Sequence, residues 1–260
     1  MNTRKAAVAG QFYEADAHRL QQHINALLGA AGEAARHRPK VLIVPHAGYL
    51  YSGQTAAAAY RCLVPRGVRI ERVVVLGPAH RVYLEGMAVP SVDAFATPLG
   101  AVPLDRPSIE QITDMAGVRV SDEAHRAEHS LEVQLPFLQT VLGHFSLVPV
   151  VVGNCDPEPV AAVLDALWGG AETLIVVSTD LSHFLGYEEA CATDSLTCDR
   201  LLARDSALTG EEACGARALN GLMRSRHCRE LAIEMLDLRN SGDTAGDRSR
   251  VVGYGAFILH

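Results

Sequence analysis

Three histidines of this chain stand in the same kind of place. His46 follows the apolar run VLIV at Val41–Val44, His80 follows Val73–Leu76 in RVVVLGPAH, and His183 follows Leu174–Val177 in LIVVSTDLSH. Imidazole changes charge near neutral pH and is the commonest metal ligand among side chains, so three of them brought together could hold a metal ion or carry protons. Turn formers accompany each: Gly48 after the first, Gly77 and Pro78 before the second, and Ser178, Thr179 and Asp180 before the third. Such residues bend a loop so that a side chain points back over the end of a strand. One histidine after a strand reads as a cap or a surface residue; the repeated placement is what points to a site.

The runs that precede these histidines are short, rich in Val, Ile and Leu, and read as buried strands, as do Leu147–Val152 and Val251–Leu259. Helical spacing lies between them at Arg19–Leu28, Thr55–Cys62, Leu131–Leu142, Pro157–Leu167 and Glu188–Ala203, with Pro136 marking a kink or boundary. Strands alternating with helices predict a single α/β domain over residues 1–260, its central sheet largely parallel or mixed and flanked by helices. In such sheets the carboxyl ends of parallel strands open onto the binding crevice. If the three strands are parallel neighbours, His46, His80 and His183 meet on one rim.

Composition narrows the partners. The chain has 260 residues, 48% of them hydrophobic, and a formal net charge of −7 with no dense Lys/Arg run, which argues against nucleic acid. The opening is basic, but its apolar stretch is broken by Gly10, Gln11 and Glu14, so neither a signal peptide nor a membrane span is expected. Six scattered cysteines without a C-x-x-C pair suggest reduced thiols and a cytoplasmic protein. Phosphate loops of the Walker type, G-x-S-x-G elbows and H-E-x-x-H helices are absent from the sequence. The glycines of VVGYGAF read as packing positions in a strand.

Further candidates surround the histidines. AHRAEHSLEVQLP carries Glu128 and His129 just ahead of a helix expected from about Ser130, where they would face the same crevice as outer-shell or substrate-binding groups. Glu132 reads equally well as a first-turn acid favoured by the helix dipole, and His125 as a solvated residue. Asp180 could fix the tautomer of a nearby histidine or cap the following turn.

Several blocks together resemble the Memo family, named for a mediator of cell motility. They are PHAGYLYSGQTAAAAY at Pro45–Tyr60, LGPAH at Leu76–His80, EHSLEVQLPFL at Glu128–Leu138, STDLSH at Ser178–His183 and GYGAFILH at Gly253–His260, with AGQFYEAD at Ala9–Asp16 similar to the family's opening. They run in the family's order nearly from end to end. The resemblance implies a fold like that of the class III extradiol dioxygenases, non-haem iron enzymes that open catechol rings. It implies a divalent metal, iron first and copper or zinc as alternatives, held by His46, His80 and Cys214, with His183 as an acid-base group and Asp180 beside it. A small organic substrate or a peptide is the implied ligand, and AMMECR-type and radical SAM proteins are the implied company.

Cys214 stands in EEACGARALNGLM, where family members continue with Pro-Ile after the Cys-Gly step and this chain has Arg217, Ala218 and Leu219. A thiolate donates more electron density than a carboxylate and suits iron, copper or zinc, so ring opening does not follow automatically. The residue taken alone reads as a small core hydrophobe. Cys228, in the basic stretch RHCRE expected at the surface, is the rival thiol. Two readings follow: a metal-dependent redox enzyme, or a binding protein that uses the same scaffold without turnover.

Overall fold

The structure is a computed structural model that describes residues 2–64 and 69–260. Its strands are β1 (Thr3–Arg4), β2 (Val41–Val44), β3 (Arg72–Pro78), β4 (Met87–Val89), β5 (Ala94–Thr97), β6 (Gly100–Pro103), β7 (Val118–Val120), β8 (Ser146–Val152), β9 (Thr173–Ser178), β10 (His183–Leu185), β11 (Ile233–Asn240) and β12 (Val251–Leu259). Its helices are α1 (Ala17–Ala30), α2 (Tyr49–Tyr60), α3 (Arg106–Thr113), α4 (Asp122–Arg126), α5 (Leu135–Leu142), α6 (Pro157–Leu167), α7 (Tyr187–Leu202) and α8 (Ala216–Arg224).

The fold is α/β with a mixed central sheet. Strands β2, β9, β3 and β8 lie side by side and parallel, in that order. Every residue of β2 and β9 is buried, as expected of strands covered on both faces. Antiparallel strands close the two sides: β12 on β2, with β11 and β10 against β12, and β4 on β8, followed by β7. A small separate sheet joins β1, β5 and β6.

The connections explain the layers. The chain steps from β2 through α2 across to β3, then returns from β8 through α6 to β9, which lies between β2 and β3. Crossovers of one hand running in opposite directions put their helices on opposite faces of the sheet, and the crevice opens where the direction reverses. Helices α1, α2 and α5 pack on one another, and α6 packs on α3 and α8. One hydrophobic cluster runs through the molecule, from Leu20 and Ile24 of α1 through the strands to Leu219 and Leu222 of α8.

Local chemistry sets most helix ends. Asp16 caps α1 by accepting from Arg19 N, Asp105 caps α3 from Ser108 N, and a proline opens α6. The predicted helix at Leu131–Leu142 divides into a 3₁₀ turn at Glu132–Gln134 and α5, with Pro136 in the first turn of α5. The two glycines of GYGAF are packing glycines: a Cβ on Gly253 would stand 2.0 Å from the Asp194 carboxylate. Sequence periodicity did not single out α8 or β11. Cys228, expected near the surface, is buried because the 3₁₀ turn that carries it folds back, with Arg204 Nη1 donating to the Cys228 carbonyl at 2.9 Å.

Candidate metal centre

His46 follows β2, His80 follows β3, and Asp180 and His183 follow β9, and these three strands are parallel neighbours. Their carboxyl ends deliver the four side chains to one edge of the sheet. The rings of His46 and His80 are 5.1 Å apart between centroids.

Among the described residues, His46, His80 and His129 form a group whose ligand atoms all lie within 4.8 Å of one another, so the three imidazoles could hold a metal ion. His129 enters from the loop after α4. Its ring lies 4.6 Å from that of His80 and 5.4 Å from that of His46. Cys214 approaches His46 from the turn before α8, with Sγ 3.3 Å from His46 Nε2, and stands outside the three-imidazole group. His183, Cys214 and His80 line one cleft of about 910 Å³, together with Leu185, Thr193 and Glu211.

Hydrogen bonding decides which nitrogen each ring offers. Ser178 Oγ donates its only proton to the Ser130 carbonyl at 2.6 Å and accepts from Gln134 Nε2 at 2.8 Å. Its 2.9 Å contact with His46 Nδ1 must therefore run from the ring N–H to the hydroxyl oxygen. His46 Nε2 is left with its lone pair toward Cys214, whose S–H is the donor of that contact. Gln134 is itself set by Tyr60 Oη donating to Oε1 at 2.8 Å and by Nε2 donating to the Pro45 carbonyl at 2.9 Å.

Glu128 does the same for His80. Its carboxylate accepts from His80 N at 2.6 Å, from His80 Nδ1 at 2.9 Å, and from the backbone N–H groups of His129 and Ser130, each at 2.9 Å. Burial alone would raise this carboxyl, but the bonds from His80 and Ser130 hold it well below the usual carboxylate range. An ionised carboxylate only accepts, so His80 carries its proton on Nδ1 and presents Nε2. His129 Nδ1 is buried, has no hydrogen-bond partner and lies 3.3 Å from Glu128 Oε1. A donor set with free lone pairs, a buried orphan nitrogen and a thiol fits a divalent metal of the borderline kind.

Burial disfavours the charged form of three of the histidines. It lowers His46 well below the ordinary histidine value, takes His129 down to about 4 and lowers His183 as well. Burial, with the negative Asp180 adding to it, pushes the Cys214 thiol up to about 12. Asp180 accepts from His46 N at 2.7 Å, and burial raises it to about 6.

A profile of the Memo-like protein family matches residues 4–258. The chain belongs to the Memo-like family. It is 35% identical to a MEMO1 family protein of Aquifex aeolicus over all of both chains, and 35% identical to one of Methanothermobacter thermautotrophicus over 96% of this chain and 98% of that one. A third, from Archaeoglobus fulgidus, is 35% identical over 98% of this chain and 99% of the relative. Among solved structures, an uncharacterised protein of Escherichia coli K12 is similar in fold alone, with a TM-score of 0.55 at 13% identity over 85% of this chain and all of that chain.

In this Memo-like chain two readings of individual residues need correction. His125 is buried, not solvated, because its Nε2 bonds to the Ala88 carbonyl at 2.9 Å under the small sheet. Glu132 is fully buried and serves no dipole at a surface: it accepts from Arg4 Nη1 at 2.6 Å and from Tyr13 Oη at 2.6 Å. Ser130, Gln134 and Arg4 carry no mark of their role in the sequence. The only signal for them is that Gln134 and Ser130 share a block with Glu128 and His129, and no periodicity marks a buried polar residue.

The Cys-Gly step has a local cause. A Cβ on Gly215 would stand 2.6 Å from Thr179 Cβ and 2.9 Å from the Ser178 carbonyl oxygen, so only glycine lets the turn bring Cys214 against β9. Gly215→Ala is expected to cost about 1–3 kcal/mol of stability, as overpacking does, and to move the thiol off His46. Urea unfolding and the accessibility of Cys214 to a thiol reagent check both effects.

No helix among the described residues is long and apolar enough to cross a membrane.

Proposed function

We propose that this Memo-like protein binds one divalent metal ion with His46, His80 and Cys214, with His129 beside them in the donor set, and uses it in redox or dioxygenase-like chemistry on a small organic molecule. The observation that carries the reading is that His46, His80 and His129 bring their ligand atoms within 4.8 Å of one another, with the tautomers of two of them fixed by Ser178 and Glu128 and the Cys214 thiol set against His46. A protein with no use for a metal has no physical need to bury neutral titratable groups at one point. Iron is the first choice for such a mixed nitrogen and sulfur set, with copper and zinc as alternatives.

The bound metal would supply Lewis acidity and, for iron or copper, electron exchange. The chain supplies the rest. Glu128 and Ser178 hold the imidazoles in their binding tautomers, and Asp180 anchors the backbone of His46. His183 lines the cleft beside His80, and burial keeps it neutral near pH 7, so it can take a proton from a substrate hydroxyl. The one continuous hydrophobic cluster supports reading the whole chain as a single domain. A peptide-holding role, and company with AMMECR-type and radical SAM proteins, rest on the family alone.

Metal analysis of anaerobically purified protein is the test. About one equivalent in the wild type, lost in His80→Ala and Cys214→Ser, is the expected result; unchanged metal in both variants would overturn the site. Dioxygen uptake by iron-loaded protein with a panel of catechols separates turnover from simple holding.

The protonation states add a pH dependence. Cys214 is protonated at pH 7, because burial pushes its thiol up to about 12, and it must lose that proton to bind. His46 and His129 are already neutral there and release none. Between pH 7 and 8 the apparent affinity of the wild type should rise about tenfold more than that of Cys214→Ser, one proton per metal. Isothermal titration in two buffers of different ionisation enthalpy counts that proton directly.

A further inference from the structure

The segment from Arg4 to Tyr13 contributes no ligand, yet it touches the loop that carries His129 and the chain just after His46. The Arg4 side chain is 5% exposed. Its guanidinium donates to the His125 carbonyl, the Glu128 carbonyl and the Glu132 carboxylate, each at 2.6 Å. Those acceptors bracket the loop that holds Glu128 and His129. Glu132 closes the arrangement by accepting from Ala7 N at 2.7 Å, Val8 N at 3.0 Å and Tyr13 Oη at 2.6 Å. Farther along, the Phe12 ring packs on the His129 ring at 4.8 Å, and the Phe12 carbonyl accepts from Tyr49 N at 2.8 Å, three residues after His46.

We propose that Arg4–Tyr13 is a strap that registers His129 against His46, with Arg4 and Phe12 as positioning residues of the donor set. The consequence for metal binding rests on the reading above; the ordering of the loop does not. Arginine suits the task because its planar fork reaches three acceptors at fixed angles, which a lysine ammonium on a flexible stem cannot do. A buried ion pair is weak evidence for stability taken alone, and its position here, across the loop that carries Glu128 and His129, is what gives it a role.

The test compares full-length wild type with Arg4→Met, Arg4→Lys and Phe12→Leu, each also in a His129→Ala background. Two readouts are used: cobalt(II) affinity by titration, and amide hydrogen exchange of metal-free protein. In Arg4→Met, exchange at His129 and Ser130 should rise while β3 and β8 stay protected, and cobalt should bind roughly 10–100-fold more weakly, the usual cost of losing an outer partner. Arg4→Lys should recover part of both. Phe12→Leu should weaken cobalt binding several-fold, and both losses should shrink to less than about threefold once His129 is alanine.

Unchanged exchange at His129 and Ser130 overturns the strap, as does a cobalt loss that is equally large without His129, which marks general destabilisation. If Arg4→Met does not fold, Phe12→Leu decides by the same two readouts. A wild type that binds no cobalt removes the metal reading, and the exchange pattern of the metal-free protein still decides the strap.

Discussion

His46→Ala should bind cobalt(II) or zinc more than about 100-fold more weakly than the wild type, beyond the roughly 10–100-fold range of outer-shell changes. His46 is the hinge of the site: its Nδ1 is anchored on Ser178, its backbone N–H on Asp180, and its Nε2 faces Cys214. No neighbour can replace it, since the ring is 1% exposed and the nearest polar atoms are already engaged. Ser178→Ala is the graded control. It keeps the ligand but frees its tautomer, and a loss within the outer-shell range is expected. Titration of both variants, with circular dichroism to show an intact fold, checks the order; affinity in His46→Ala within threefold of the wild type would remove the residue from the site.

Glu132→Ala should destabilise the protein by about 3–5 kcal/mol, because it leaves the Arg4 guanidinium with an uncompensated buried charge. The alanine also orphans the Ala7 and Val8 N–H groups and the Tyr13 hydroxyl. For a chain of this size that is a fall in Tm on the order of 10 °C. Replacing Glu132 with Gln keeps an acceptor and the side-chain volume, so it should cost less, and thermal unfolding of the two variants side by side separates charge from packing. Equal, small shifts in both would show that solvent reaches Arg4.

Much of this frame was legible in the chain itself. The runs at Val41–Val44, Val73–Leu76, Leu147–Val152, Leu174–Val177 and Val251–Leu259 all lie in strands, because a strand buried on both faces has to be apolar throughout. The placement of His46, His80 and His183 at the ends of three such runs predicted a shared edge, and the parallel order of β2, β9 and β3 supplies it. β11 escaped notice because its sequence, IEMLDLRN, is half-exposed and alternates poorly, and it forms by pairing with β12.

Residue type and local spacing determined where this protein makes strands, where its loops turn and which loops carry histidine, since those depend on neighbours a few positions away. Tertiary structure decided that His129 stands within 4.8 Å of the His46 and His80 ligand atoms and not merely near the crevice, and that Glu132 is the buried partner of Arg4 across 128 positions. These contacts belong to side chains whose polarity would place them in water. They are buried because long-range partners satisfy their hydrogen bonds, and no local pattern in a sequence encodes which partner that is.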